Sequence, residues 1–208
     1  MPFGVPKVPF EFEDPDADEE DGEVEVTWMD LYNLLFRERV LFLGRAIKPE
    51  ITNHLVSLMV FLTVERDDWS PMLLINSPGG YIFNGLSLYD TVRLSGARTL
   101  CVGTAVSMAS VILVGGSDNK RAAFPHARVM IHQPRINKFE DEGPEVIMEA
   151  RIMLDLRHHI VEIYVLKTGQ PFWVISVDLE VDTYLTPTEA KIYGLVDLIL
   201  IKAKDAEE

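Results

Sequence analysis

Three short stretches of this chain carry residue types that can do chemistry, and each follows an apolar run. In Gly103-Thr-Ala-Val-Ser107-Met-Ala-Ser110 the run ends, small residues turn the chain, and Ser107 opens a helical stretch. A hydroxyl there is accessible, and the free N–H groups of a helix start lie beside it. A serine nucleophile and its oxyanion need that access and those donors. Taken alone, the segment fits a simple helix N-cap better, because N-capping is the commoner use of serine at that place. It also lacks the G-x-S-x-G elbow of α/β-hydrolases.

The second stretch is Met130-Ile-His132-Gln-Pro134, where an apolar run meets a Pro-closed turn. An imidazole held there can reach a neighbouring strand end, as a general base must, although a lone histidine is more often structural. The third is Asn76-Ser-Pro-Gly79-Gly80. Two glycines after a buried strand can turn N–H groups towards a developing negative charge; a plain tight turn explains them equally well. The G-x-x-x-x-G-K-[ST] phosphate cradle is absent. A serine–histidine pair needs a carboxylate to orient the imidazole. Asp178, Glu180, Asp182 and Asp197 are available, and spacing does not choose among them. Metal binding is weakly supported, since neither His126 with His132 nor His158 with His159 has a convincing ligand pattern around it.

These residues need elements to hold them. The pattern predicts a short helix from a Thr27/Asp30 capping box to about Arg37, then a strand over Val40–Gly44. A helix over Pro49 to about Thr63 has Ile51, Leu55, Leu58 and Leu62 at helical spacing. Strands follow at 72–75, 99–102, 128–131 and 196–201, with helices at 84–94, 107–113, 145–168 and, behind a Thr186/Glu189 capping box, 187–193. Strands alternating with helices mean an α/β fold with a largely parallel sheet. Such sheets bind ligands beyond their C-terminal strand ends, where the three stretches lie. The 145–168 helix is apolar over most of its girth, so it is expected to be buried on two sides, one of them a candidate contact with a partner subunit.

The composition narrows the classes. Over 208 residues the net charge is −14, from 33 acidic and 19 basic side chains. That balance argues against a nucleic-acid binder and against a polybasic membrane-surface protein. Ten of the carboxylates fall within residues 11–25, so residues 1–26 read as an acidic flexible arm. The single cysteine, Cys101, excludes an internal disulfide framework. The longest apolar run, Leu55–Val64, is about half of what a membrane-crossing helix needs. The first residues resemble neither a secretory signal nor a transit peptide.

Ser77-Pro-Gly-Gly80, Ala105-Val-Ser-Met108, the run Arg121…Pro125…Val129-Met-Ile-His-Gln-Pro134, and Thr188-Glu-Ala190 followed by Tyr193-Gly-Leu-Val-Asp197 together resemble the proteolytic subunit of the Clp protease, ClpP, over about residues 27–200. The resemblance implies a crotonase-like α/β superhelix of ββα units with a long handle helix at 145–168. It implies a peptidase domain over 27–202 between the arm and a charged tail at 203–208. It also implies a serine endopeptidase with Ser107 as nucleophile, His132 as general base and Asp182 as orienting acid. Gly80 and Met108 match the oxyanion-hole donors. Relatives stack two seven-membered rings of like or paralogous subunits, and a ring-shaped ATPase feeds them unfolded protein. The subunit itself is expected to need no metal or cofactor and to bind neither nucleic acid nor membrane. The opening Met1–Phe10 is similar to plastid-encoded members, which implies the chloroplast stroma. Three places depart from the family pattern: Val106 replaces a small residue, Val181 replaces an arginine, and the loop Ser95–Ala97 is short. Two other readings remain, a non-catalytic structural subunit of a mixed ring and a crotonase-type acyl-CoA hydratase.

Overall fold

Apolar runs separated by helices give two units, Met1–Leu41 and Phe42–Glu208, in the computed structural model, which describes residues 4–12, 25–66, 68–135 and 142–201. In the first unit, β1 (Lys7–Phe12) and β2 (Glu25–Asp30) pair antiparallel, with Lys7 opposite Asp30 and Phe12 opposite Glu25. β1 and the first two residues of β2 fall in the stretch expected to be a flexible arm, and the rest of β2 in the stretch expected to open the first helix. The β-branched and aromatic Val26, Thr27 and Trp28, with Val8 and Phe10 on the other strand, supply strand character that the charge count hides. The acidic residues 13–24 and the tail from 202 lie outside the described residues. Helix α1 (Leu31–Arg37) starts later than the Thr27/Asp30 pattern predicted, since Thr27 lies in β2 and Asp30 takes the N-cap position without a capping side-chain bond.

The larger sheet begins at β3 (Val40–Leu43). Helix α2 (Pro49–Glu65) leads to β4 (Met72–Ser77), and α3 (Ile82–Leu94) to β5 (Arg98–Val106). Helix α4 (Met108–Val114) is followed by β6 (Arg121–Ala123) and β7 (Arg128–Ile131). The long α5 (Gly143–Thr168), α6 (Phe172–Asp178), β8 (Thr183–Leu185), α7 (Pro187–Tyr193) and β9 (Leu198–Ile199) complete it. The strand order is β3-β4-β5-β6-β9, with β7 pairing β5 and β8 pairing β7. The pairings β4–β5, β5–β6, β5–β7 and β6–β9 are parallel, and β7–β8 is antiparallel. The expected α/β architecture is therefore present.

β5 extends past the predicted 99–102 because it serves two neighbours in turn. Its first half pairs β6, Thr99 opposite Arg121, and its second half pairs β7, Thr104 opposite Arg128. Leu73, Ile75, Leu100, Cys101 and Ala105 bury the centre of this sheet, and all seven residues of α4 are buried against it. Burial pushes the Cys101 thiol up to about 11, which keeps it protonated and unreactive. The short β6, α6 and β8 had no clear sequence signal, being too brief to show a period.

Helix α5 ends as predicted, on Gly169 at φ 74°. Leu156, Ile160, Val161 and Tyr164 bury one face of it, while Ile147, Met148, Leu154 and Leu166 are exposed. The predicted Thr186 capping box is formed reciprocally with Glu189, whose carboxyl is held below its usual range by the Thr186 N–H and hydroxyl. Behind the sheet, Arg121 donates to both oxygens of Asp197 and to the carbonyls of Lys167 and Gly194, tying β6 to the ends of α5 and α7. Burial would raise the Asp197 carboxyl, but the bonds from Arg121 outweigh it and hold the group below its ordinary value.

Candidate active site

Parallel pairing brings the ends of β4, β5 and β7 to one edge. Ser77 stands opposite Ala105 and Val106 opposite Met130, so Gly79–Gly80, Ser107 and His132 emerge side by side. Val106 is accommodated as a half-buried strand residue in this register. The antiparallel pair then supplies the fourth component: Ile131 lies opposite Thr183, which puts the next residue on β7's side, His132, beside Asp182.

Ser107 occupies the N-cap position of α4 but does not cap it with its side chain. Its backbone is at φ 58° and ψ −126°, a conformation that costs a non-glycine residue on the order of 1–3 kcal/mol. Three bonds hold it there. The Ser107 N–H donates to the Met130 carbonyl at 3.0 Å, the Ser110 N–H donates to the Ser107 carbonyl at 2.9 Å, and the Ser110 hydroxyl lies 2.6 Å from that carbonyl and 2.8 Å from Met130 O. Tyr164 of α5 meets the same hydroxyl at 2.8 Å; burial pushes its phenol well above the ordinary range, so it stays a donor. Sequence reasoning did not single out Ser110 or Tyr164. Their signal would have been a polar residue in an otherwise apolar helix face.

The freed hydroxyl of Ser107 is 2.8 Å from His132 Nε2, and His132 Nδ1 is 3.0 Å from Asp182 Oδ1. The other three candidate carboxylates are engaged elsewhere. Asp197 holds Arg121, Asp178 accepts from the Tyr193 hydroxyl at 2.7 Å, and Glu180 lies 3.7 Å from Arg157. Gln133 N–H donates to Leu179 O at 2.6 Å, and Arg157 of α5 bonds both Gln133 Oε1 and the Ser176 carbonyl, so the segments carrying His132 and Asp182 are braced together.

The glycine loop approaches Ser107 closely. A Cβ on Gly79 would lie 2.8 Å from Ser107 Cβ and 3.1 Å from Met108 N, and one on Gly80 would lie 2.2 Å from the Ile47 carbonyl. The bridge between Ile47 and Gly80 uses Gly79 O and Tyr81 N, not the Gly80 N–H. Met108 is the first residue of α4, where the N–H has no acceptor within the helix. Gly80, Ser107, Met108 and His132 line one cavity of about 560 Å³, walled by Val111, Leu156 and Ile160. Val181 is exposed beside Asp182.

A half-buried, strained serine, an imidazole bonded on both ring nitrogens, and a carboxylate behind it can perform nucleophilic acyl transfer. Comparison with known proteins agrees. The sequence model of the Clp protease family matches residues 21–203. The chain is 48% identical over 204 residues, 97% of its length and 100% of the relative's, to the chloroplastic ATP-dependent Clp protease proteolytic subunit 1 of Arabidopsis thaliana. It shares 48% identity over the same length with the ATP-dependent Clp protease proteolytic subunits of Coffea arabica and of Panax ginseng. By the match of the family model and this full-length similarity, the chain belongs to the Clp protease family.

Proposed function

We propose that this chain is a serine endopeptidase subunit of an ATP-dependent Clp protease, with Ser107 as nucleophile, His132 as general base, Asp182 as orienting carboxylate, and the Gly80 and Met108 N–H groups as oxyanion donors. The observation that supports these roles most directly is the imidazole bonded on one side to the Ser107 hydroxyl and on the other to Asp182. His132 Nε2 takes the Ser107 proton as Oγ attacks the peptide carbonyl carbon. Asp182 keeps the Nδ1 proton in place and stabilises the imidazolium. The two N–H donors hold the tetrahedral oxyanion, each worth about 3–4 kcal/mol. His132 then protonates the leaving amine, and water repeats the sequence to release the acyl-enzyme. This constellation speaks against a purely structural subunit, and a crotonase-type hydratase would leave the serine–histidine pair without a purpose.

The exposed apolar side chains Ile147, Met148 and Leu154 of α5 suit contact with a second copy or a paralogous subunit in a seven-membered, double-ring assembly. A ring-shaped ATPase would deliver unfolded protein. The names of the relatives support a plastid setting, and within it we assign the stroma. Residues 1–26 are proposed as an acidic arm that tunes which substrates or ATPases engage, residues 27–202 as the peptidase domain and 203–208 as a charged tail. The test is degradation of an unfolded protein, casein, by the full chain with a Clp-type ATPase and ATP. Peptide release by the wild type and none by Ser107→Ala supports the proposal; equal release by both overturns it.

A further inference from the structure

We propose that Arg135 is a positioning residue that fixes Asp182 against the His132 ring; the inference rests on the triad reading above. An Arg135 guanidinium nitrogen donates to Asp182 Oδ1 at 2.5 Å, and His132 Nδ1 bonds that same oxygen at 3.0 Å. One carboxylate oxygen has lone-pair sites for two donors, so both bonds coexist. Arg135 and His132 are three residues apart with Pro134 between them, whose fixed φ limits the freedom of the link. The cation and the imidazole therefore approach the carboxylate from one short, braced segment.

The guanidinium holds Asp182 against rotation, although its carboxylate is 41% exposed. The charged groups around the imidazole are Asp182 and Glu180 on the β8 side, Arg135 on its own segment, Glu149 and Arg157 on α5, and Lys48 at the rim of the cavity. Asp182 is the one bonded to the ring, and Arg135 is the cation bonded to Asp182. Removing the Arg135 side chain frees Asp182 to rotate away from the ring, so the Nδ1 bond is made for a smaller share of the time.

The test follows the second-order rate of fluorophosphonate inactivation of the full chain, alongside kcat and KM for peptide cleavage. Arg135→Gln is expected to lower the inactivation rate and kcat about three-fold or more with KM nearly constant, through lost orientation of Asp182. Arg135→Lys recovers part of the rate, because an ammonium can still donate to Asp182 Oδ1 but lacks the planar fork. Arg135 is 59% exposed, so the substitution leaves the fold intact, which an unchanged melting temperature checks. An Arg135→Gln protein labelled at Ser107 at the wild-type rate, with kcat unchanged, overturns the role of Arg135. An Asp182→Asn protein labelled as fast as the wild type overturns the triad reading instead.

Discussion

Ser107 sits between a nine-residue central strand and a helix whose residues are all buried, whereas Asp182 sits between a seven-residue helix and a three-residue edge strand. His132 joins the two, with a side chain 15% exposed against 41% for Asp182. The serine side is fixed by backbone bonds to Met130 and by the Ser110–Tyr164 hydroxyl pair. The carboxylate side is fixed by the β7–β8 register and by side chains, Arg135 and Arg157. The difference teaches that a packed surround can hold a strained backbone conformation that an exposed one would relax. The positive φ of Ser107 belongs to that rigid side. The exposed side must rely on charge, which solvent and salt weaken.

Substitutions that act on one side or the other sharpen this contrast. The largest effect is expected for Ser107→Ala or His132→Ala, each lowering peptide cleavage by roughly 10⁴-fold or more with the fold unchanged, read by kcat. Asp182→Asn is expected to cost about 10³-fold near neutral pH, less than a fully buried triad acid, because water partly replaces it. If Asp182→Asn costs as much as Ser107→Ala, the carboxylate side is no looser than the serine side.

Stability measurements rank below these. Asp197→Asn leaves the nearly buried Arg121 without its partner and is expected to destabilise by about 3 kcal/mol in denaturant unfolding. The Asp197 carboxyl is lowered in the folded state, so its contribution is present above the unfolded carboxylate range, near pH 4, and is lost as pH falls through the lower folded value. The wild type should therefore lose stability in acid below about pH 4 more steeply than Asp197→Asn. Ser110→Ala strands the buried Tyr164 hydroxyl and is expected to cost about 2 kcal/mol, with kcat falling while KM is nearly constant. Thr186→Ala removes an exposed cap near the carboxylate side and is expected to cost about 1 kcal/mol without changing kcat.

Legibility in the sequence tracked the same contrast. The strands at Met72 and Arg128, the long α5 with Gly169, and the Thr186 cap were readable because period and capping residues are local signals. Ser107 and His132 stood out because each follows a buried strand. The choice of Asp182 among four carboxylates was not readable from spacing, since it depends on β7 pairing β8 across 50 residues of chain. Arg135 gave no signal, because an exposed arginine after a proline is ordinary until its partner is known. The β1–β2 ribbon was obscured by the charge between its strands. The family resemblance supplied what local pattern could not.

The central claim, that Ser107 is an activated nucleophile within bonding reach of His132, is tested most directly by mapping a fluorophosphonate adduct on the full-length protein by mass spectrometry. The account predicts one adduct, on the peptide containing Ser107, that disappears in His132→Ala and slows in Asp182→Asn. An adduct on another serine, or one on Ser107 that forms equally fast without the imidazole, would contradict it.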